Sequence, residues 1–516
     1  MSRVLVTGAA GNIGRAVTLR LLADGRPELR ASEQREMDRV RDARERALGA
    51  SGLRRRARRF SVVLAIALIG AAAVNAPSSA AQLQTAITDP LTFSGPDRDL
   101  AFARTADAGA SAAEIQIRWN AVAPKTRPAT FNPSNPNDPG YDWASIDTQV
   151  LAAKRQRLEP LLAITDSPTW SQTTPSVPNY SPSPSQFAAF AQAAARRYSG
   201  AFAGLPRVRY WIAWNEPNLS SFLTPQQNNV SANIYRALLN AFASAVKAVH
   251  QDNQVVAGQL DPVASHAAGY RAIAPIPFIR ALLCMSGGAR PHPTCTARAR
   301  FDIWSYHPYT SGGPFDRARV PGDAMLGDLQ SCDQLLRAAQ AAHHVVSSHR
   351  IGFWVTEFAW DSNPPSPHAV PMGLLTRWVA EALYQMWRSD VTLATWYLLR
   401  GTPGLYFAGP TLAQDQPKPT VAAFRFPFVA YRTARRINVW GRTPGGERGN
   451  VVIEQAARGH WVRRRLLQTH GGIFRGQFLI PASARGSIRA SLSGSQDHSP
   501  PFSLTRPRDL FVNPFG

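Results

Sequence analysis

Cysteine is scarce in this sequence, with three residues in a chain of 516. That number is too small for a compact scaffold built on disulfides, so this class is excluded. No apolar run reaches the roughly 20 residues that cross a bilayer as a helix, so no strong membrane-spanning helix is predicted. A wholly disordered chain is excluded as well, because 44% of the residues are hydrophobic. The length exceeds the roughly 250–300 residues of a large single domain and predicts two or more folded units.

Lysine is also rare, with four among the 57 basic residues, so the net charge of +23 is due almost entirely to arginine. Residues 1–60 carry a net charge of +8 and residues 431–516 one of +10, which leaves +5 for the rest. No basic motif interleaved with aromatic residues is present, so no nucleic-acid partner is predicted. The basic ends are interpreted as a solvated arginine-rich surface or, alternatively, as a means of association with an anionic cell surface, polymer or membrane. The oligomeric state does not follow from these features.

The chain begins with a glycine motif. Residues 3–8 (RVLVTG) read as a short strand, and Gly8, Gly11 and Gly14 follow before an apolar helical stretch. This segment resembles the start of the short-chain dehydrogenase and sugar-epimerase families, in which such glycines approach a dinucleotide. One strand and one helix bury no stable core, so residues 1–25 are interpreted as a truncated Rossmann-like fragment. An NAD(P)-dependent oxidoreductase is an alternative that rests on this fragment alone.

Residues 26–81 are interpreted as a basic linker and a secretory signal peptide. Five arginines between positions 54 and 59 precede about 14 apolar residues, Ser61–Val74, and a stretch of small residues follows. The pattern predicts a signal peptide at about 54–81 and a secreted or cell-surface protein; an uncleaved anchor is the alternative. A signal peptide belongs at the start of a chain, so Met37 is predicted to be the better start of translation.

Export would allow disulfides to form. Cys284 and Cys295 are separated by ten residues of a loop rich in glycine and proline. They are predicted either to form a disulfide or to remain two free thiols.

The middle of the chain alternates short apolar strands with helical stretches, at about 35–55 residues per unit. This pattern predicts an α/β fold with a parallel sheet. Seven strands are predicted, and an eighth is placed less clearly near Ala101–Thr105. Eight units in about 300 residues favour a (β/α)8 TIM barrel over residues 89–431. The seven strands are Ala113–Trp119, Leu158–Thr165, Val208–Trp214, Gln254–Gly258, Phe301–His307, Ile351–Phe358 and Leu393–Leu399.

Two of these strands end in a glutamate. The fourth runs into Trp214-Asn215-Glu216-Pro217-Asn218, and the seventh ends in Thr356-Glu357-Phe358. The ends of these two strands would face each other across the mouth of a barrel. Two carboxyl groups about 5 Å apart suit glycoside cleavage with retention of configuration, one as acid and the other as nucleophile.

WNEPN and VTEF, on the fourth and seventh strands, resemble the acid/base and nucleophile motifs of clan A glycoside hydrolases, and WNEPNL is similar to family 39 in particular. The resemblance spans about residues 89–428 and implies that Glu216 is the acid/base and Glu357 the nucleophile. It also implies that Asn215 binds the sugar 2-hydroxyl. Adjacent side chains on a regular strand point to opposite faces, so Asn215 and Glu216 can share a pocket only if the strand ends or bulges there.

The same resemblance suggests further substrate-binding residues at the strand ends. His307 and Tyr309 are expected to donate hydrogen bonds to Glu357, and Arg118 is expected to do the same. Trp396 matches the position that forms the floor of the sugar subsite, and Trp170 and Trp360 could stack on sugar rings. For His307 and the three tryptophans the alternative is core packing, and for Arg118 it is a structural ion pair.

After about residue 432 the pattern changes to short alternating runs between glycine-rich turns. It predicts a small all-β sandwich at 432–495, which resembles the Ig-like modules of secreted enzymes, and a loose tail at 496–516. Packing against the barrel is one interpretation of this domain, and binding of carbohydrate or wall polymer is another.

Taken together, these patterns predict a secreted retaining glycoside hydrolase that cleaves a β-linked oligo- or polysaccharide by double displacement. No cofactor and no metal is required by this mechanism. The alternative is a non-catalytic protein that binds glycans or the cell wall on a glycosidase-like barrel.

Overall fold

The computed structural model describes residues 82–173, 181–227, 229–265, 271–400, 416–433, 435–480 and 486–511. The predicted Rossmann-like fragment, basic linker and signal peptide lie outside the described residues. Among the helices that the structure describes, none is both long and apolar enough to cross a membrane.

Eight parallel strands close into a barrel in which each strand pairs with the next in the chain and the last pairs with the first. The prediction of a (β/α)8 TIM barrel is therefore confirmed. The strands are β1 Gln84–Thr88, β2 Ala112–Arg118, β3 Glu159–Thr165, β4 Tyr210–Ala213, β5 Gln254–Leu260, β6 Ile303–Tyr306, β7 Gly352–Phe358 and β8 Leu393–Tyr397.

The predicted position of one strand is wrong. Ala101–Thr105 belongs to a helix, in which Ala101, Phe102 and Thr105 are buried at helical spacing. The first strand of the barrel is instead β1, which lies before the predicted domain start at residue 89. Its five residues are too short a run to stand out beside the predicted signal peptide.

Ten helices are described around the strands. The long ones present apolar faces to the barrel, as Phe187, Phe190 and Ala194 of α5 illustrate. The helices are α1 Pro90–Ser94, α2 Arg98–Asp107, α3 Trp119–Val122, α4 Ala144–Arg155, α5 Pro184–Arg197, α6 Val230–Val249, α7 Pro275–Leu283, α8 Leu329–Ala341, α9 Met372–Arg388 and α10 Pro419–Arg425.

The lower interior of the barrel is filled with apolar side chains. Strands buried on both faces are expected to be almost continuously apolar. One cluster draws a residue from every strand of the barrel: Ala86, Ala112, Leu161, Ala163, Ile212, Val256, Ile303, Trp354 and Leu393. The two predicted catalytic glutamates lie above this apolar layer, just beyond β4 and at the end of β7.

The C-terminal part is all-β and consists of two antiparallel sheets, of order β9-β10-β13 and β12-β11-β14-β15. An Ig-like topology stays a prediction. The strands are β9 Phe428–Thr433, β10 Arg436–Arg442, β11 Asn450–Ala457, β12 His460–Gln468, β13 Ile473–Leu479, β14 Ser487–Leu492 and β15 Phe502–Ser503.

The boundaries of this domain differ from the predicted ones. It begins at Phe428 rather than at residue 432, and part of the predicted tail belongs to the sheet, because β15 pairs with β14. Phe502 is buried, with the Arg377 guanidinium of α9 4.0 Å from its ring. Strand pairing and the buried Phe502 ring together attach this segment to the rest of the protein.

Cys284 and Cys295 form a disulfide, so the first of the two alternatives for this pair is the one observed. The third cysteine, Cys332, is a buried free thiol on α8.

Candidate active site

Glu216 stands just beyond the end of a strand, in irregular backbone. β4 ends at Ala213, and both Trp214 and Glu216 have a positive φ, of 75° and 38°. The strict alternation of a strand is thereby lost, which meets the condition under which Asn215 and Glu216 can share a pocket. The Trp214 indole anchors the turn by donating to the Phe222 carbonyl at 2.9 Å.

The backbone of Glu216 is held by a distortion in the neighbouring strand. Its N–H donates to the carbonyl of Gln259 at 3.1 Å. Gln259 has a φ of 51° and follows Gly258, with a φ of 105°, where the pairing of β5 with β6 shifts register. A Cβ at Gly258 would lie 2.1 Å from the Ser305 carbonyl oxygen, so this bulge requires glycine.

Glu357 is the penultimate residue of β7, and its carboxylate meets two groups from the loop after β6. The Tyr309 hydroxyl donates to Glu357 Oε2 at 2.8 Å. His307 Nδ1 lies 3.6 Å from the same oxygen and 3.0 Å from Glu216 Oε1. The histidine is fully buried and stands between the two glutamates.

The two carboxyl groups are close together. One oxygen of each glutamate and one ring nitrogen of His307 all lie within 4.8 Å of one another. The side chain of Glu216 is 4% exposed and that of Glu357 is 14% exposed. Glu357 therefore retains more contact with solvent, and Glu216 lies deeper.

Burial sets the protonation of this group. Desolvation raises the pKa of Glu216 to about 8 and that of Glu357 to about 7. At Glu357 the neighbouring His307 and the Tyr309 hydroxyl oppose the rise in pKa. Burial also lowers the pKa of His307, so its ring is neutral near pH 7. The hydrogen bond from Tyr309 and the greater exposure of Glu357 favour its ionised form, whereas Glu216 is buried more deeply, so the pair can supply one base and one acid side by side.

Two further buried carboxyl groups were missed in the sequence. Glu114 on β2 accepts a hydrogen bond from the Gln259 amide at 3.0 Å, and its second oxygen has no partner among the described residues. Asp261 follows β5. Desolvation raises the pKa of both carboxyl groups. The nearby charge of Glu357 raises the pKa of Glu114 further, and the charge of Glu216 does the same for Asp261. A sequence signal for Glu114 existed, since it is an acid placed among the apolar residues Ala113, Ile115 and Ile117 of a predicted strand.

The structure contradicts the prediction that Trp396 forms the floor of a subsite. Its ring is buried outside the barrel, in edge contact with Phe358 at 5.1 Å and with Phe424 at 6.3 Å. The next residue, Tyr397, is the one that lies near both glutamates, which together with burial raise its pKa. The error is one residue on a strand, where a shift of one reverses the face.

Trp360 is likewise part of the core. It is buried against Phe358 and Trp378, and its N–H donates to the Gly312 carbonyl at 3.1 Å. No ring face is left for a sugar, so the prediction that it stacks on substrate is wrong. Its position after β7 was correct, but the side chain turns towards α9.

Arg118 and Trp170 lie at the rim of the barrel without contacting the glutamates. Arg118 donates to Asp166 at 2.9 Å across the ends of β2 and β3, so it forms the alternative ion pair rather than a bond to Glu357. Trp170 is half-buried and donates to the Pro124 carbonyl at 2.8 Å. Stacking of Trp170 on a sugar stays a prediction.

No family model matches the chain, and no curated protein matches it in sequence. Solved structures of similar fold include a family 39 glycoside hydrolase from the gut symbiont Bacteroides cellulosilyticus WH2, with 15% identity over 77% of this chain and 81% of that one, at a TM-score of 0.48. A glucosidase from Croceicoccus marinus has 12% identity, covers 78% and 94% of the two chains, and scores 0.45. The endo-beta-1,4-mannanase of Thermotoga petrophila has 9% identity, covers 84% and 99%, and scores 0.42. Since likenesses this distant carry no functional argument, any function must be argued from the site.

Proposed function

We propose that the protein is a retaining glycoside hydrolase in which Glu357 is the nucleophile and Glu216 the acid/base. The observation that carries this proposal is the approach of the two carboxyl groups within 4.8 Å. Carboxyl groups of retaining enzymes stand about 5–5.5 Å apart, whereas inverting enzymes leave room for a water at about 6.5–9.5 Å.

The surroundings of the two carboxyl groups support these roles, because the Tyr309 hydroxyl stabilises an ionised Glu357, whereas Glu216 lies deeper. Ionised Glu357 attacks the anomeric carbon while the bond to the leaving oxygen breaks, and Glu216 gives its proton to that oxygen. In the second step Glu216 takes a proton from water as the water oxygen displaces Glu357 from the anomeric carbon. The Tyr309 hydroxyl, 2.8 Å from Glu357, stabilises the carboxylate before attack and again after its release.

We further propose that the substrate is a β-linked oligo- or polysaccharide and that the protein is secreted or held at the cell surface. The disulfide between Cys284 and Cys295 supports export, because disulfides persist mainly in oxidising compartments. Asn215, buried beside Glu216, is proposed to bind the sugar 2-hydroxyl.

The test is hydrolysis of a panel of aryl β-glycosides, with the anomeric configuration of the first product followed by NMR. Retention supports the proposal, and inversion contradicts it. The rate constant kcat/KM should rise with pH as Glu357 ionises, near pH 7, and fall as Glu216 loses its proton, near pH 8. Glycan binding without turnover of any member of the panel would instead support the non-catalytic alternative.

A second candidate is a metal-dependent hydrolase, favoured by the same triad: Glu216, His307 and Glu357 offer three ligand atoms to one divalent cation. The distinction is direct. Dialysis against a chelator leaves a double-displacement glycosidase active, while a metal enzyme loses its activity and regains it when the cation is returned.

A further inference from the structure

The edge of the second C-terminal sheet carries an exposed row of basic residues. β12 is the last strand of its sheet, and all of its residues except Trp461 and Leu467 are exposed. Arg463, Arg464 and Arg465 are consecutive on it, and Arg458 stands in the turn before it.

Few acidic residues are available to neutralise this row. Residues 431–516 contain 14 arginines and four acids. Glu454 pairs with Arg489 at 2.8 Å, Asp497 pairs with Arg425 of α10 at 2.5 Å, and Asp509 pairs with Arg506 at 3.5 Å. The fourth acid, Glu447, is exposed, and its charge attracts the guanidinium group of Arg425.

Among the residues that the structure describes, none forms an ion pair with the consecutive arginines of β12. Arg464 donates to the neutral Gln455 side chain at 2.9 Å. The positive charge of this edge is therefore not neutralised by the residues that the structure describes.

An aromatic ring lies within this basic surface. Trp461 is half-buried, and the Arg489 guanidinium lies 4.3 Å from the centre of its ring. Trp461 stands opposite Ala456, and both Arg463 and Arg489 stand opposite Glu454. Directly opposed residues share a face of a sheet, so the indole and these two guanidinium groups lie on one face, while Ile453 and Gln455 are buried on the other.

A neighbouring strand is a poor fit for this edge. Pairing of β11 with β12 shifts register beside Arg464, which makes a bulge, and adjacent exposed cations repel a second copy of the same edge. Guanidinium groups bind carboxylate and sulfate oxygens in paired hydrogen bonds, and an indole next to them offers a flat apolar face to a sugar ring. Together these two chemistries fit a polysaccharide that carries acidic groups.

We propose that the edge of β12, with Trp461, Arg463 and Arg489 on one face and Arg465 on the other, is a binding surface for an anionic polysaccharide, separate from the site in the barrel. Arg465 stands opposite the buried Ile453, beyond the bulge at Arg464, so its side chain leaves β12 on the other face and cations border the edge on both sides. Occupation of this surface needs neither Glu216 nor Glu357.

The test uses the full chain and measures its affinity for heparin and for polygalacturonate, with dextran as the neutral polymer. Binding to the two acidic polymers should weaken steeply with salt, because each neutralised anionic group releases a counterion. R463Q/R465Q should lower the affinity at least tenfold and make the salt dependence shallower. W461A should lower the affinity and leave the salt dependence unchanged, since it removes stacking but no charge.

The matched control is R435Q/R436Q, which removes the same charge from exposed positions beside the other sheet. It should change the affinity by less than about threefold, as expected for a loss of general charge alone. Equal loss of affinity in the two double variants, equal binding to dextran, or equally tight binding to duplex DNA would each overturn the proposal. Unchanged urea unfolding shows that the variants are folded, and it keeps this result independent of the proposed function.

Discussion

The barrel mouth and the edge of the C-terminal sheet both carry clusters of ionisable residues, acidic and buried at the mouth but basic and exposed at the edge. At the mouth, Glu114, Glu216, Asp261 and Glu357 are buried together, and desolvation raises the pKa of all four carboxyl groups. At the edge, the arginines of β12 are exposed to water. Buried ionisable groups oppose folding unless they are neutral or paired, whereas exposed ones cost little. Ionisable residues therefore act through proton transfer and bond formation at the barrel mouth, and through their positive electrostatic potential at the edge of the sheet.

The largest expected effect is on the chemistry at the mouth. Replacing Glu357 with Gln removes the nucleophile, and replacing Glu216 with Gln removes the proton donor; each change should lower kcat on natural linkages on the order of 10³-fold or more. Steady-state kinetics on an oligosaccharide measure both effects.

The two variants can be told apart by the leaving group. With an aryl group that leaves without a proton, formation of the glycosyl-enzyme in Glu216→Gln should stay close to the wild-type rate, and an initial burst of the phenol should appear. Glu357→Gln should show no burst with either substrate. A burst in Glu357→Gln would mean that the roles have been assigned the wrong way round.

Two glycines in the same left-handed conformation sharpen the comparison of the two regions. Gly258→Ala places a Cβ 2.1 Å from the Ser305 carbonyl and disturbs the bulge that holds Glu216, so it should lower the free energy of unfolding by about 3 kcal/mol or more and reduce activity. Gly459→Ala, in the turn before β12, has open space around the new methyl group. Its cost should be near 1 kcal/mol, with no loss of activity. Urea unfolding of the two variants measures the difference, and equal costs would contradict the role given to the bulge.

Much of this arrangement could be predicted from the sequence, and the limits have physical reasons. Glu216 and Glu357 follow apolar strands, and the period of the βα units places their strands opposite each other. Trp396 and Tyr397 show where prediction failed, because which of two adjacent side chains enters a barrel depends on strand register, which the sequence alone does not give. The hydrogen bond from the Glu216 N–H to the Gln259 carbonyl depends on a bulge in the pairing of β5 with β6, and no local sequence pattern predicts that bulge.

Stability should depend on pH through the buried acids. The folded-state pKa values of Glu216 and Glu357 lie above the ordinary glutamate value of 4.5, so the folded protein retains protons that the unfolded chain releases. Their contribution to stability is complete below pH 4.5 and is lost as the pH rises through 7 to 8. Glu216→Gln cannot ionise and should therefore match the wild type near pH 4.5 but exceed its free energy of unfolding at pH 8 by at least about 1 kcal/mol. Denaturant titrations at both pH values measure this, and a variant that gains nothing at pH 8 would contradict the burial argument.

Glu114 should matter to a smaller extent, as a positioning residue. Its carboxyl group holds the Gln259 side chain, while the Gln259 carbonyl holds the Glu216 N–H. Glu114→Ala should lower kcat by roughly tenfold with little change in KM, since a small displacement of the acid weakens the transition state more than binding. Glu114→Gln keeps an acceptor for Gln259 and should restore most of kcat, with an unshifted pH profile if the native group is neutral. Equal rates in the two variants would leave Glu114 with no part in positioning.

The smallest effect is expected where charges are exposed, and it is the counterpart of the first prediction. R463Q/R465Q removes two cations that, among the described residues, make no ion pair, so no attraction within the protein is lost and slight repulsion between neighbouring arginines is relieved. The free energy of unfolding should change by less than about 0.5 kcal/mol, and hydrolysis of an aryl glycoside should be unchanged. Urea unfolding at low and at high salt checks this, because a change that vanishes at high salt is electrostatic in origin. A loss of several kcal/mol would place these arginines among the structural contacts of the sheet and would remove their contrast with the buried acids of the barrel mouth.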